Sequence, residues 1–311
     1  MLKEKRLNLM GQLLLLSATM AWGVSFTFLK DIIETVSMYY VIGVRFVVAS
    51  AILALIFIKR FGKMNKGTFL RGLILGAVLT LAYLTQTYGL NNTTPGENAF
   101  LTSTYNVMIP FMLWAIYKRR PKPAHLIAAV LCLVGISFIA FSNNGEAKGN
   151  AVVGYGLTVL AAIFFAFQIL IIDVAKDKGD DTFLTLILEL AVVGVVFSVL
   201  SLIIDAPKGI GVYALGTEQI VMLLVLTFIC TLYAQFAQIR GMHYTHPTQA
   251  ALILSLESVF GTVFSLIMGR EHTSALMFAG FILIFVAIVV SELDHDEKKT
   301  VTEKPRNDEN P

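Results

Sequence analysis

Ten mostly apolar stretches, each near the roughly 20 residues that a helix needs to cross a bilayer, leave this chain few ways to fold. They are Leu9–Leu29, Val36–Ile58, Leu70–Leu90, Glu97–Tyr117, Ala124–Phe141, Val152–Ile172, Phe183–Ile204, Ile220–Arg240, Pro247–Met268 and Ser274–Glu292. They take up most of the 311 residues and leave no room for a soluble catalytic domain. Hydrophobic residues make up 56% and charged residues 14%, against about 25% charged in an ordinary soluble domain. The expected class is therefore an all-α, polytopic membrane protein. Residues 294–311 are polar and aperiodic, the composition of a disordered tail. Lys3, Lys5 and Arg6 precede the first stretch as in a secretory leader. That stretch is longer than the usual apolar core of about 7–15 residues and reads as a retained span.

A second constraint is internal. Shifted by 152 positions, Tyr83 falls on Gln235, Gln86 on Gln238, Gly89 on Gly241 and Thr93 on Thr245. Pro95 then meets Pro247, Ala99 meets Ala251, Ser103 meets Ser255 and Tyr105 meets Glu257, with no gap from Gln86 to Ile136. The boundaries read as residues 1–146 for the first unit, 147–293 for the second and 294–311 for a cytoplasmic tail. Five spans per unit is an odd number, so the second unit enters the membrane from the opposite side. Inverted repeats are a mark of secondary transporters, which bind solute between the repeats near the bilayer midplane.

Ten spans put both termini on one side. That side collects 19 of the Lys and Arg residues, whereas the other has only Lys30, Lys148, Lys208 and Arg270. Cationic loops stay in the cytoplasm, so both termini are expected inside a cell membrane. The net charge of +3 is thus a topology signal, and no fold context for nucleic-acid binding accompanies it.

Three stretches carry a family resemblance. They are "SATMAWGVSF" from Ser17, "AFLTSTYNVMIPFMLWAIYKRRPKPAHLIAAVLCLVGISFI" from Ala99, and "TQAALILSLESVFGTVFSLIMGREHTSALMFAGFILIFVAIVVSEL" from Thr248. The chain resembles the EamA-type transporters of the drug/metabolite transporter superfamily from about Leu9 to Leu293. The resemblance implies ten spans as two inverted five-helix repeats. It also implies export or exchange of small metabolites such as amino acids or amines, without ATP. One departure concerns the ninth helix, where the family often has a proline after the glutamate and Ser258 follows Glu257 here. Pro110 is the candidate counterpart in the fourth helix. The bend of the ninth span is left open.

Polar residues inside the apolar stretches are the candidate site, because a charge at mid-membrane costs about 2.5–3.5 kcal/mol on insertion scales. Glu257 sits near the centre of the ninth span, opposite Tyr105 in the repeat. It reads either as a cavity carboxylate for a cationic group or a coupled proton, or as a buried acid bonded to a neighbouring helix. Arg45 and Glu189, 144 positions apart in the second and seventh helices, suit a structural or gating ion pair, or separate local partners. Tyr83 and Gln86 share one helix face, as do Gln235 and Gln238, with Tyr233 nearby. Asn98, Thr102 and Tyr105 form an i, i+4, i+7 stripe. These uncharged donors and acceptors suit a polar solute, and equally suit hydrogen bonding between helices at about 0.6 kcal/mol each. Trp22 and Gln168 are further candidates for the cavity wall.

Other motifs carry less. Cys132 and Cys230 lie inside apolar stretches with no ligand spacing. His243 and His246 have no acidic or thiol neighbours, so no metal is expected. Asn91-Asn92-Thr93 and Asn92-Thr93-Thr94 fit the glycosylation sequon, but these Asn and Thr residues also suit a helix cap before Pro95. Walker-type loops and zinc-protease motifs are absent from the sequence, so no cofactor is expected. The expected partners are a small-molecule substrate, a coupled proton or ion and the lipid bilayer, with no nucleic acid, in a monomer or homodimer. Rival readings are a nucleotide-sugar or phosphorylated-metabolite exchanger, which needs several buried cations, and an intramembrane enzyme, which needs a nucleophile with its base.

Overall fold

The computed structural model describes residues 2–118, 120–142, 150–209, 215–245, 247–271 and 274–293. The expected boundary between residues 146 and 147, the tail, Arg119, Lys148 and His246 lie outside the described residues. Thirteen α-helices are found among the described residues: α1 (Leu2–Ile33), α2 (Met38–Ile56), α3 (Lys66–Asn91), α4 (Pro95–Ser103), α5 (Tyr105–Tyr117), α6 (Pro123–Ser142), α7 (Ala151–Asp177), α8 (Thr182–Ile204), α9 (Thr217–Leu224), α10 (Ala234–Tyr244), α11 (Pro247–Ser255), α12 (Glu257–Ile267) and α13 (Ala275–Leu293). A π-helical segment, Val225–Tyr233, joins α9 to α10. Among the described residues seven helical rods are long and apolar enough to cross a membrane and three are shorter apolar helices, and the rods are numbered in chain order. No strand occurs among the described residues.

The helix starts follow from local chemistry. Asn65 Oδ1 accepts from Thr68 N at 2.9 Å, and Asp181 Oδ1 accepts from Phe183 N at 3.0 Å. Thr94 and Glu97 form a reciprocal capping box ahead of Pro95, which satisfies two otherwise orphaned backbone donors. A cap is what the residues before Pro95 lead one to expect.

The fourth and ninth rods are each broken in the middle. Thr104 divides α4 from α5 and Leu256 divides α11 from α12, and the two positions are 152 apart. Their backbones match closely, with φ −62° and ψ −14° at Thr104 and φ −67° and ψ −9° at Leu256. Near Thr104, Ser103 Oγ donates to Ala99 O at 3.0 Å, Thr104 Oγ1 to Leu101 O at 2.6 Å and Asn106 Nδ2 to Ser103 O at 3.3 Å. Near Leu256, Ser255 Oγ donates to Leu252 O at 2.7 Å and Ser258 Oγ to Ser255 O at 3.1 Å. Hydroxyls that bond back to carbonyls compete with the helical ladder and bend it. The ninth rod therefore breaks without a proline.

Helices in lipid gain little from burying apolar side chains, so they associate through small residues that let backbones approach. A β-carbon on Gly43 would lie 2.8 Å from Ser198 Oγ, and one on Gly194 2.6 Å from Val47 N. α2 and α8 thus run antiparallel. α6 and α13 do the same, with Gly135 against Ile284 and Gly280 against Ile139. So do α4 and α12, with Gly96 against Thr262 and Gly261 against Ala99. The neighbours also repeat when the halves are exchanged: α3 packs on α7 as α10 packs on α1, and α4 on α7 as α11 on α1. Leu55, Phe141, Val152 and Ile267 project outward and are more than two-thirds exposed, as a lipid-facing surface requires.

At one end of the bundle Arg71 grips Asp180 through two guanidinium nitrogens and Thr68 Oγ1 donates to Asp180 at 2.6 Å. The Arg71 bond holds the Asp180 carboxyl below its ordinary value. This contact ties α3 to the α7–α8 turn.

Close packing makes a direct prediction. Gly194→Leu places a side chain against the α2 backbone and is expected to lower stability by about 1–3 kcal/mol or prevent folding, whereas Gly156→Ala enters open space and is tolerated. Thermal unfolding of the purified variants in detergent compares the two.

Candidate functional site

The polar candidates separate into groups that have found partners and groups that have not. Gln86, Asn98 and Thr102 have found them. Gln86 Nε2 donates to Thr102 Oγ1 at 3.1 Å, and Asn98 Nδ2 donates to Thr158 Oγ1 at 2.8 Å. All three are buried. In this conformation they fill the seam between α3, α4 and α7 and are not presented to a solute. Asn98 Oδ1, and Thr87 Oγ1 beside Gln86 on α3, are buried without a partner.

Arg45 and Glu189 do not bond each other. Arg45 Nε donates to Thr231 Oγ1 and Nη2 to Cys230 O, the latter at 3.4 Å. Both acceptors belong to the π segment, whose wider turn sends Thr231 Oγ1 back to Leu226 O, five residues earlier, at 2.8 Å. The guanidinium also lies 5.9 Å from the Tyr83 ring centroid and 5.4 Å from that of Phe46. Glu189 instead accepts a hydrogen bond from Gln168 Nε2. The direct ion pair expected as one alternative is replaced by two local arrangements. Sequence reasoning misses the roles of Thr231 and Cys230, because no sequence signal marks a π-helical register shift.

Tyr83 is the meeting point. Its ring packs edge-on against Phe46 at 4.8 Å and Phe165 at 6.0 Å. Tyr105 lies 6.4 Å from the same Phe165. Arg45, Glu189 and Glu257 are all within electrostatic reach of the Tyr83 phenol. The second, fourth, seventh and ninth rods therefore converge on one aromatic-walled centre, with one cation and two carboxylates. Glu257 begins α12 immediately after the break at Leu256, is half-buried, and has no hydrogen-bond or ion-pair partner among the described residues. Gln235 and Gln238 are half-buried on α10 and likewise unpartnered among the described residues.

Trp22 and Tyr233 lie at the α1–α10 seam. Trp22 packs on the alanine contact formed by Ala18, Ala21, Ala234 and Ala237, and Ser17 Oγ bonds Tyr233 Oη at 2.7 Å. The cysteines are buried and free. The His243 ring meets Tyr244 edge-on at 4.9 Å, and the described residues contain no cluster with the ligands for a metal ion.

A bundle of apolar rods with broken helices and polar groups gathered at its centre defines a multi-pass membrane transporter. The sequence pattern of the EamA-like transporter family matches twice, at residues 9–141 and 152–293, and the chain belongs to that family. A curated relative from Archaeoglobus fulgidus, an uncharacterized transporter, is 29% identical over 275 residues, covering 88% of this chain and 82% of its own. A solved crystal structure at 14% identity has the same fold, with a TM-score of 0.62 over 91% of this chain and 96% of the other.

The partners of Arg45 set an expectation. Arg45→Ala leaves buried acceptors on the π segment without their donor, a loss of about 1.5–3 kcal/mol for hydrogen bonds to a charged group. The exchange Arg45→Glu with Glu189→Arg is expected to recover none of that stability. Thermal unfolding of both variants, read beside Glu189→Gln, checks this; recovery in the double variant would restore the direct pair.

Proposed function

We propose that the protein is a secondary transporter that exports or exchanges small polar metabolites, such as amino acids or amines, across a cell membrane. It has ten passes in two inverted five-helix repeats with both termini in the cytoplasm. Solute enters the centre around Tyr83 and Glu257, and access alternates between the two membrane faces as the repeats rock. The driving force is the gradient of the solute itself or of a coupled proton. The antiparallel packing of α2 with α8, α4 with α12 and α6 with α13 supports inversion, because equivalent helices of inverted repeats must run in opposite directions.

The observation that carries the solute reading is Glu257. Every other candidate acid or cation at the centre has taken a protein partner, and a half-buried carboxylate left alone is costly unless a ligand, a proton or water completes it. Tyr83, Tyr105 and Phe165 supply aromatic walls on which an organic cation can rest. A phosphorylated or nucleotide-sugar cargo fits less well: Arg45 is the one cation there, and it is engaged with Thr231 and Cys230. Catalysis is not part of this reading, since family membership points to transport.

Uptake into proteoliposomes, with a panel of labelled amino acids, amines and nucleotides, identifies the cargo. For a confirmed cationic cargo, Glu257→Gln is expected to weaken apparent affinity about ten- to a hundredfold, from an ionic hydrogen bond of about 1.5–3 kcal/mol. Gln238→Ala is expected to cost less, and Thr102→Val to act on stability first. Unchanged transport in Glu257→Gln and Gln238→Ala would remove the site from the centre described.

A further inference from the structure

The exchange of halves that relates the packing of the rods is not exact. α4 packs along α12, yet among the described residues α5 and α11, their counterparts under the exchange, share no interface of comparable extent. α4 and α12 seal the bundle at the end where α4 begins and α12 finishes. A set of buried polar contacts holds the sealed end. Glu271, in the turn after α12, is 4% exposed. Its Oε1 accepts from Thr94 Oγ1 at 2.5 Å, and its Oε2 accepts from Gly96 N at 3.0 Å and Ser265 Oγ at 2.9 Å. Gly96 is required for this approach, because a β-carbon there would lie 2.7 Å from Glu271 Oε2.

We propose that Glu271 is a proton-sensitive latch that holds α4 of the first half against α12 of the second and closes this end of the transport path. The carboxyl reaches across between the halves and caps the first turn of α4, so parting the halves must break the bonds to Thr94 and Gly96 together, while the bond to Ser265 lies within its own half. Two of its three partners are hydroxyls, which rotate to donate or accept. Oε1 can therefore carry a proton toward Thr94 Oγ1 while Oε2 still accepts from Gly96 N and Ser265. The latch accommodates either protonation state.

The charged and titratable groups around it are few. Glu97 on α4 accepts from Tyr155 Oη of α7 at 2.7 Å. On α1, Lys30 Nζ donates to Leu90 O at 2.6 Å, and Asp31 pairs with Arg270 at 2.9 Å. Glu34 and Glu218 lie within electrostatic reach of Asp31. Burial pushes the Glu271 carboxyl up to about 7, with Glu97 adding to the rise and the three hydrogen bonds opposing it. Once open to water, the carboxyl returns towards its ordinary value of 4.5. Protons therefore bind the closed form more tightly, so acid favours closure, and that advantage is lost as pH rises through about 7.

The test uses the full-length protein in nanodiscs, with Cys132 and Cys230 replaced by alanine and spin labels at Asn91→Cys and Met268→Cys. The distance between these labels spans the sealed end and needs no substrate, so the result is independent of the cargo and of Glu257. A longer-distance population is expected to grow from pH 6 to pH 8, by at most about tenfold per pH unit for one proton. Glu271→Ala and Thr94→Val are expected to enlarge that population at every pH, and Glu271→Gln to abolish its pH dependence. If Glu271→Ala does not elute as a folded species, Thr94→Val and Glu271→Gln decide, since each preserves the local volume. Variants with the distribution of the unsubstituted protein, or a distribution insensitive to pH in the unsubstituted protein, overturn the proposal.

Discussion

A polar group inside a bilayer has no water to turn to, and this single constraint organises the molecule. Each buried donor or acceptor must be completed within the protein, at a cost of several kcal/mol if it is not. Most are completed: Asn98 by Thr158, Gln86 by Thr102, Glu189 by Gln168, and Arg45 by the π segment. Because completion is the rule, the groups left over carry information. Among the described residues Glu257, Gln235 and Gln238 stand out for lacking partners, where comparable residues have been spent on holding helices together.

The same constraint explains why the rods break where they do. A break frees backbone carbonyls, which is tolerable in lipid only where side chains take them up. Ser103, Thr104 and Asn106 do so in the fourth rod, Ser255 and Ser258 in the ninth. Small hydroxyl residues at equivalent positions therefore produce one backbone geometry from two different sequences. The break places Tyr105 and Glu257 at the first turn of α5 and α12, near the protein centre. A carboxylate at a helix start also gains from the helix dipole, which lowers the cost of keeping Glu257 there without a partner.

Features set by short-range chemistry are legible in the sequence alone. The apolar rods follow from length and composition, the cap at Thr94 from its neighbours, and the duplication from simple alignment of the chain on itself. The seam of Gln86, Asn98 and Thr102 is only half legible. An amide on a helix face is compatible with a solute or with a neighbouring helix, and Thr158 sits 60 residues from Asn98. The partner of Arg45 is not legible, because it depends on a register shift in a distant rod. Glu271 is hidden for a different reason: a carboxylate beside Arg270 in a short turn reads as solvated, and only packing shows that α4 covers it.

Duplication makes the two ends of such a bundle geometrically alike without making them chemically alike. Shifted by 152 positions, Glu271 corresponds to Arg119 and Glu97 to Gln249. An acid that seals one end thus has a base as its counterpart in the repeat. The bias of Lys and Arg toward one set of loops in the sequence goes with this difference. On the alternating access proposed above, a proton on Glu271 acts on one end alone and so shifts the balance between the access states.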